Sequence, residues 1–157
     1  MKEPQARATD KRLGVHASRR RLYALTFSDW RLLIVVAAAQ VVAAGALRAM
    51  SLRAVRHRAA QLRPFVQRIA HASDERVIWA THATGRRLGR SSTCLTRALA
   101  AELVIERGGG LTFNIGVRRT AASTLQAHAW LARDERVLIG STADRYAPIV
   151  KWIRRST

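Results

Sequence analysis

The first strong feature of the chain is an uncharged stretch over residues 32–47, interrupted only by Gln40 and Gly45. Ser28 and Asp29 stand just ahead of it. This pair is typical of a helix start, where a hydroxyl caps the first turn and an acid faces the positive end of the helix dipole. The pattern therefore predicts a hydrophobic helix over 32–47.

Beyond this stretch, apolar and basic residues alternate at helical spacing from 49 to 72. The apolar residues recur three or four apart, and most of the arginines fall off that stripe, which predicts an amphipathic helix. Pro64 is expected to divide this helix in two or to kink it, because proline interrupts the backbone hydrogen bonds. A further helix is predicted to open at Asp74 and Glu75 and to run to Gly85.

A helix with a marked start is predicted near the middle of the chain. Three hydroxyl residues at 91–93 precede apolar positions 95, 98, 99 and 103, and three glycines at 108–110 give a strong stop. Cys94 falls in the first turn of this helix, where unpaired backbone N–H groups and the helix dipole favour a thiolate. A nucleophile is expected at such a position.

Strands are predicted after the glycines. Apolar residues alternate with polar ones over 111–117, which indicates a strand buried on one face. A second strand is predicted over 125–131 and a third over 136–139, which together form a hairpin. On the second strand, His128 stands on the face opposite the small apolar residues.

These elements predict an α+β fold, in which N-terminal helices precede a core with the Cys94 helix packed on a small antiparallel sheet. Residues 1–23 are rich in basic and poor in apolar residues, so we predict a flexible basic arm there. Residues 24–72 form the predicted helical region, which includes the hydrophobic helix, and residues 73–157 form the predicted core.

The net charge suggests an anionic partner without naming one. The chain has 28 Lys and Arg against 10 Asp and Glu, a formal charge of +18, and such a surface attracts nucleic acid, anionic membranes or acidic peptides alike. A single cysteine excludes an internal disulfide. One cysteine and scattered histidines offer no ligand cluster, so neither a metal nor another cofactor is expected. A reducing cytoplasm is the expected location.

Three placements of the 32–47 helix remain open. Sixteen uncharged residues fall short of the roughly 20 that span a bilayer, and alanine supplies little hydrophobic drive. We therefore place packing on the domain or on a partner protein first. Association with a membrane comes second and a true span third.

Cys94 and His128 together suggest nucleophilic catalysis. A cysteine nucleophile needs a base that holds its proton and later delivers it to the leaving amine, and histidine does both. The two residues come from separate elements in such enzymes, so their distance along the chain is no objection. The Cys94 N–H at the helix start is the expected donor to the oxyanion.

Three blocks of sequence resemble one family. They are Ser92–Leu99, Asn114–Val117 and Ala127–Trp130, which read STCLTRAL, NIGV and AHAW. They resemble the protease domain of lasso-peptide B proteins, which are transglutaminase-like members of the papain-type fold. The resemblance runs from about residue 86 to residue 151 and includes a closing segment at 146–149. Short chains of this kind are similar to the stand-alone leader peptidase of split systems.

The resemblance implies a function and partners. Cys94 would attack the bond between leader and core of a lasso-peptide precursor, and His128 would act as base and then as acid. A separate small protein would recognise the leader, and an ATP-dependent, asparagine-synthetase-like cyclase would then close the ring. A nucleic-acid partner is not expected. Association with a membrane through residues 32–47 stays open as an alternative to a purely cytoplasmic location.

The third catalytic residue departs from the family pattern. If 133–135 form the hairpin turn, His128 lies opposite about Gly140, where related proteins often carry aspartate and where glycine has no side chain to orient an imidazole. The available carboxylates are Asp144, just beyond the third strand, and Asp134 in the turn. Asp144 is favoured, because a loop leaving the third strand can fold back toward His128. A Cys–His dyad is the alternative.

Two other functions compete with proteolysis. The first is a basic, non-enzymatic module that binds nucleic acid or anionic lipid. Against it, the aromatic residues are sparse and the sequence has no motif with the spacing of a known DNA- or RNA-binding fold. An acyl-transferring enzyme would keep the fold and resolve the acyl group on Cys94 with an amine instead of water.

Overall fold

The structure, a computed structural model, describes residues 25–106, 109–120, 123–134, 136–142 and 144–153. Contacts divide the chain into two compact units, Met1–Arg31 and Leu32–Thr157. The predicted basic arm, residues 1–23, lies outside the described residues, and the predicted domain boundaries stay predictions.

The first helix, α1, spans Phe27–Ala49 and is longer than the predicted 32–47. It begins earlier because the Asp29 carboxylate accepts hydrogen bonds from the backbone N–H and the hydroxyl of Thr26, at 2.9 and 2.8 Å. An acid in the first turn and Arg48 in the last turn both complement the helix dipole, so charged residues extend this helix at either end.

From Leu32 onward, α1 buries one face and exposes the other. The buried positions are Leu32, Val36, Gln40 and Ala43, and the exposed apolar positions include Ile34, Val41 and Val42. The buried face makes α1 a packed helix of the domain, the first of its predicted placements. By length and composition alone, α1 is also long and apolar enough to cross a membrane. In its most apolar 18-residue window, 22% of the helix is buried inside the protein.

The second helix, α2, spans Leu52–Ala70 and runs without a break through Pro64. Of the two effects expected of Pro64, the division into two helices was therefore wrong. Tertiary contacts hold the helix at and beyond the proline: Arg63 pairs with Glu102 at 3.5 Å, and the Gln67 amide donates to the Ile105 carbonyl. These contacts offset the backbone hydrogen bond that proline removes.

Two more helices follow. Helix α3 spans Asp74–Leu88 and begins where predicted, and a 3-10 turn over Gly89–Ser91 leads away from it. Helix α4 spans Cys94–Val104 and is capped at its start by Thr93. The predicted start of this helix is confirmed, and it ends a few residues before the glycines.

The sheet has four antiparallel strands in the order β3-β2-β1-β4. They are β1 Leu111–Arg119, β2 Leu125–Arg133, β3 Arg136–Ile139 and β4 Ala147–Ile153. The first three were predicted from the sequence. The fourth was not predicted, and its residues pair with residues of β1 that lie 30 to 41 positions earlier in the chain.

The helices and one face of the sheet share a hydrophobic core. Helix α4 contributes Ala98, Leu99, Ala101 and Val104, and the strands contribute Leu111, Phe113, Ala129, Leu131 and Ile139. Burial of these side chains supplies most of the favourable free energy of folding. The α+β fold with the Cys94 helix packed on a small antiparallel sheet is confirmed.

Candidate active site

Cys94 is the first residue of α4, half-buried and packed against the hydrophobic core. The hydroxyl oxygen of Thr93, the N-cap, accepts a hydrogen bond from the Thr96 N–H at 3.2 Å. This cap fixes the direction in which the chain enters the helix. The backbone N–H of the first helical residue has no acceptor within the helix, so that of Cys94 is available to an oxyanion at the thiol.

A buried polar network holds the segment just before Cys94. The Ser92 hydroxyl donates to the side-chain carbonyl of Gln40 at 2.6 Å, and the Gln40 amide donates to the Thr84 hydroxyl at 2.7 Å. Gln40 is 0% exposed. Helix α1 therefore anchors the segment that leads into α4, the helix that begins with Cys94. In the sequence, Gln40 is seen only as an interruption of an apolar stretch, yet a lone amide on a buried helix face needs such partners.

His128 lies on β2 opposite Gly116 of β1 and is half-buried. Its Nε2 lies 2.7 Å from the carbonyl oxygen of Gly140. A carbonyl only accepts hydrogen bonds, so Nε2 carries the proton and donates it. In the neutral ring this leaves the Nδ1 lone pair free to take a proton from a thiol. The contact therefore fixes the tautomer that has its proton on Nε2 and its lone pair on Nδ1.

Gly140 supplies this acceptor from its backbone. Its φ is +84°, a conformation that favours glycine, and an added Cβ would lie 2.8 Å from the Ala129 carbonyl oxygen and 3.2 Å from His128 Nε2. The position predicted to lie opposite His128 thus has no room for a side chain, and its main-chain carbonyl contacts the imidazole instead.

Aromatic rings hold the His128 ring from its sides. Trp130 stacks with it at 6.1 Å between ring centroids, and Tyr146 lies at 5.0 Å. The Trp130 indole in turn lies over Gly116, where an added Cβ would be 2.9 Å from Cη2. The imidazole therefore has a defined orientation even without a carboxylate partner.

Asp144, the predicted orienting carboxylate, pairs with Arg118 at 2.7 Å. The Arg118 guanidinium lies 5.4 Å from the centre of the Tyr146 ring and donates to the Gln126 side chain at 2.9 Å. Among the described residues, no hydrogen bond or ion pair joins Asp144 to His128. The link from Asp144 to His128 runs through Arg118 and Tyr146, and the catalytic role of Asp144 stays a prediction.

Asp134 lies at the other end of the sheet. It is in the turn after Arg133, which pairs with Leu111, whereas His128 pairs with Gly116. Six residues along a strand span about 20 Å. This agrees with the expectation that Asp134 is too far away to orient His128.

Helix α4, which begins at Cys94, packs against the face of β2 and β3 that carries Ala129, Leu131 and Ile139. His128 lies on the other face of β2, because side chains alternate along a strand. Both Cys94 and His128 are in the described part of the chain, and their side chains do not hydrogen bond to each other there. Strand β3 ends at Ile139, opposite Leu131, so His128 lies beyond the residues of β2 that pair with β3. Catalytic hydrogen bonds often form only when substrate is bound.

Within the described ranges, no group of three or more His, Cys, Asp or Glu side chains is arranged to hold a metal ion. The predicted catalytic groups are a thiol at a helix start, an imidazole whose Nε2–H donates to a carbonyl, and the Cys94 N–H. That they act together stays a prediction. That set of groups is suited to acyl chemistry on a carbonyl carbon.

Comparison with known proteins agrees with this chemistry. A family model described as the transglutaminase-like superfamily matches residues 32–151, more than half of the chain. No curated protein and no solved structure matches significantly. The matched region includes both Cys94 and His128.

Proposed function

Because the chain belongs to the transglutaminase-like superfamily, whose enzymes are usually cysteine-peptidase-like or acyl-transferring, we propose that it is a cysteine peptidase that removes the leader from a lasso-peptide precursor. One observation carries the catalytic part of this proposal. The only cysteine begins a helix packed on the strand of a histidine whose Nε2–H is committed to a carbonyl.

The substrate class rests on the sequence blocks that resemble lasso-peptide B proteins. Those blocks surround Cys94, Gly116 and His128, the residues that the structure places at the helix start and on neighbouring strands. The proposed partners are the leader–core precursor, a small leader-recognition protein and an ATP-dependent cyclase that consumes the freed core.

The proposed reaction has two steps. The Cys94 thiolate attacks the carbonyl carbon at the leader–core junction, the C–N bond breaks, and His128 delivers the proton to the leaving amine. The leader is then a thioester on Cys94. Water attacks the thioester and gives a proton to His128, the C–S bond breaks, and the leader leaves with a new carboxylate. His128 returns to its neutral form as the thiol is restored.

An acyl transferase would share the first step, and the superfamily includes such enzymes. The distinguishing experiment incubates the protein, the leader-recognition protein and a precursor with and without a primary amine, and analyses the products by mass spectrometry. A peptidase gives the core with a free amine and the leader as an acid in both cases. Conversion of most of the leader to the amide would instead identify an acyl transferase.

The third residue can be tested with a matched pair of variants. We expect Asp144→Asn to lower the cleavage rate by about tenfold, because it removes the charge that pairs with Arg118 beside Tyr146. Asp134→Asn, a change of the same kind at the far end of the sheet, should leave the rate within about twofold. The measurement is the initial rate of precursor cleavage. Equal small losses would indicate that Asp144 has no part in catalysis.

The proposed location rests on the buried face of α1. If the helix left the domain to span a bilayer, Gln40, Thr84 and Ser92 would lose their shared hydrogen bonds. We therefore expect the expressed protein in the soluble fraction after membranes are washed with high salt and with alkaline carbonate. Protein that stays in the membrane pellet until detergent is added would contradict this placement.

A further inference from the structure

Arg97 lies on α4 three residues after Cys94, on the same side of the helix. Its Nε donates to the Ser92 hydroxyl at 2.8 Å. The side chain crosses Gly85 of α3, where an added Cβ would lie 2.7 Å from Arg97 Nε and 3.1 Å from Cζ. The absence of a side chain at Gly85 therefore allows the guanidinium to lie against α3, and Ser92 holds it there.

Arg97 differs in its partners from four other half-buried arginines. Each of the following has a carboxylate within 4.0 Å: Arg56 and Arg63 with Glu102, Arg118 with Asp144, and Arg133 with Asp74. Among the described residues, Arg97 has a hydroxyl and no carboxylate. A partly desolvated cation that is held in place without a counter-ion is costly, and an anion bound next to it would offset the cost.

The surroundings of Arg97 are cationic. Arg86 and Arg90 are exposed nearby in sequence, and no Asp or Glu occurs between residues 76 and 101. The pKa of His82 is lowered, first by burial and then by the positive charges of Arg97 and Arg86. Arg97 and Arg86 therefore both lie close enough to His82 of α3 to disfavour its protonation.

We propose that Arg97 binds a carboxylate of the substrate next to the bond that Cys94 attacks, so that the cleaved peptide carries an aspartate or glutamate at that junction. This inference rests on the proposed peptidase function. With Nε on Ser92, the outer nitrogens of the guanidinium remain free for one planar carboxylate. A nucleic acid would require a row of cations spaced along several phosphates, so a peptide carboxylate suits a single fixed guanidinium better.

The test uses Cys94 itself as the reporter. Iodoacetate and iodoacetamide alkylate a thiol in the same way, and only the first carries a carboxylate. Since the chain has one cysteine, the change of intact mass with time gives the rate of Cys94 alkylation by each reagent, and no peptide mapping is needed. We expect Arg97→Gln to lower the ratio of the iodoacetate rate to the iodoacetamide rate by about fivefold, as expected for the loss of one nearby charge. Arg53→Gln, at an exposed arginine of α2, should leave the ratio unchanged.

A second variant separates charge from structure. Arg97→Lys keeps the cation but loses the planar group that bonds Ser92, so it should keep most of the ratio. If Arg97→Lys lowers the ratio as much as Arg97→Gln does, Arg97 acts only by holding Ser92. If Arg97→Gln slows alkylation by both reagents equally, Arg97 acts only by activating the thiol. Either result shows that the proposal is wrong.

Protection of Cys94 from iodoacetamide identifies the ligand class. A short polyglutamate peptide should protect the wild-type thiol more than a polyglutamine peptide of the same length, and Arg97→Gln should abolish the difference. Protection by a short oligonucleotide but not by polyglutamate would overturn the proposal in favour of a phosphate site. These measurements need no turnover, so a protein that passes them but cleaves no precursor contradicts the peptidase function and not the carboxylate site.

Discussion

Replacing Cys94 with alanine is expected to abolish cleavage of a leader-bearing precursor, with a loss on the order of 10⁵-fold in rate. The reason is chemical, because the chain has no second thiol that could form the thioester. The fold should survive. Cys94 is only half-buried, so the change removes one sulfur atom from the edge of the core at a cost of about 1 kcal/mol.

The measurement is precursor cleavage followed by mass spectrometry, with circular dichroism of the same sample as a test of folding. Ser91→Ala removes a hydroxyl three residues away and is the matched control, since the structure uses the Ser91 carbonyl and not its side chain as a partner of Thr96. A folded Cys94→Ala protein that still cleaves the precursor would eliminate the mechanism. A binding module predicts instead that both variants behave like wild type.

Replacing His128 with glutamine is expected to slow cleavage by about 10³-fold, within the range that general acid–base catalysis contributes. Glutamine can still donate to the Gly140 carbonyl and lie against Trp130 and Tyr146. It has no lone pair on a basic nitrogen, so it can neither take the thiol proton nor deliver one to the leaving amine.

His57→Gln is the control for this change, because His57 is an exposed histidine on α2 whose ring contacts the side-chain amide of Gln61. It should cleave at the wild-type rate. The rate of Cys94 alkylation by iodoacetamide at neutral pH is a second readout, and it should fall in His128→Gln and not in His57→Gln. Unchanged alkylation together with unchanged cleavage would show that another group acts as the base.

The elements that sequence reasoning identified are those with a strong local signal. Cys94 was predicted at a helix start because hydroxyl residues precede it, and Thr93 is indeed the cap. The face that carries His128 followed from the strict alternation of β2, since Ala129 and Leu131 are buried on the other side. Local patterns of this kind are set within a few residues, so they can be read without the tertiary structure.

The features that were missed depend on contacts between distant parts of the chain. Strand β4 is an edge strand that contains Pro148, and no pattern in the sequence around it predicts that it pairs with β1. The continuous helix through Pro64 depends on Glu102 of α4 and on Ile105, which follows that helix. In both cases the tertiary structure overrides the local preference.

The arrangement around His128 was only partly predictable for the same reason. Gly140 was expected near the imidazole, but as a residue that could not orient it. The positive φ of Gly140 turns its carbonyl toward Nε2, and no sequence pattern reveals a carbonyl used in this way. Asp144 was identified as the available carboxylate, whereas its pairing with Arg118 depends on the return of the chain past β1.

The most direct test of the proposed chemistry is the intact mass of the protein during turnover. The reaction of wild-type protein with precursor is quenched in acid within the first turnover, and the mass of the chain is then measured. The account predicts a population heavier by the mass of the leader acyl group, which peptide mapping places on Cys94 and which hydroxylamine removes. Cleavage of the precursor with no leader ever attached to Cys94 would contradict it.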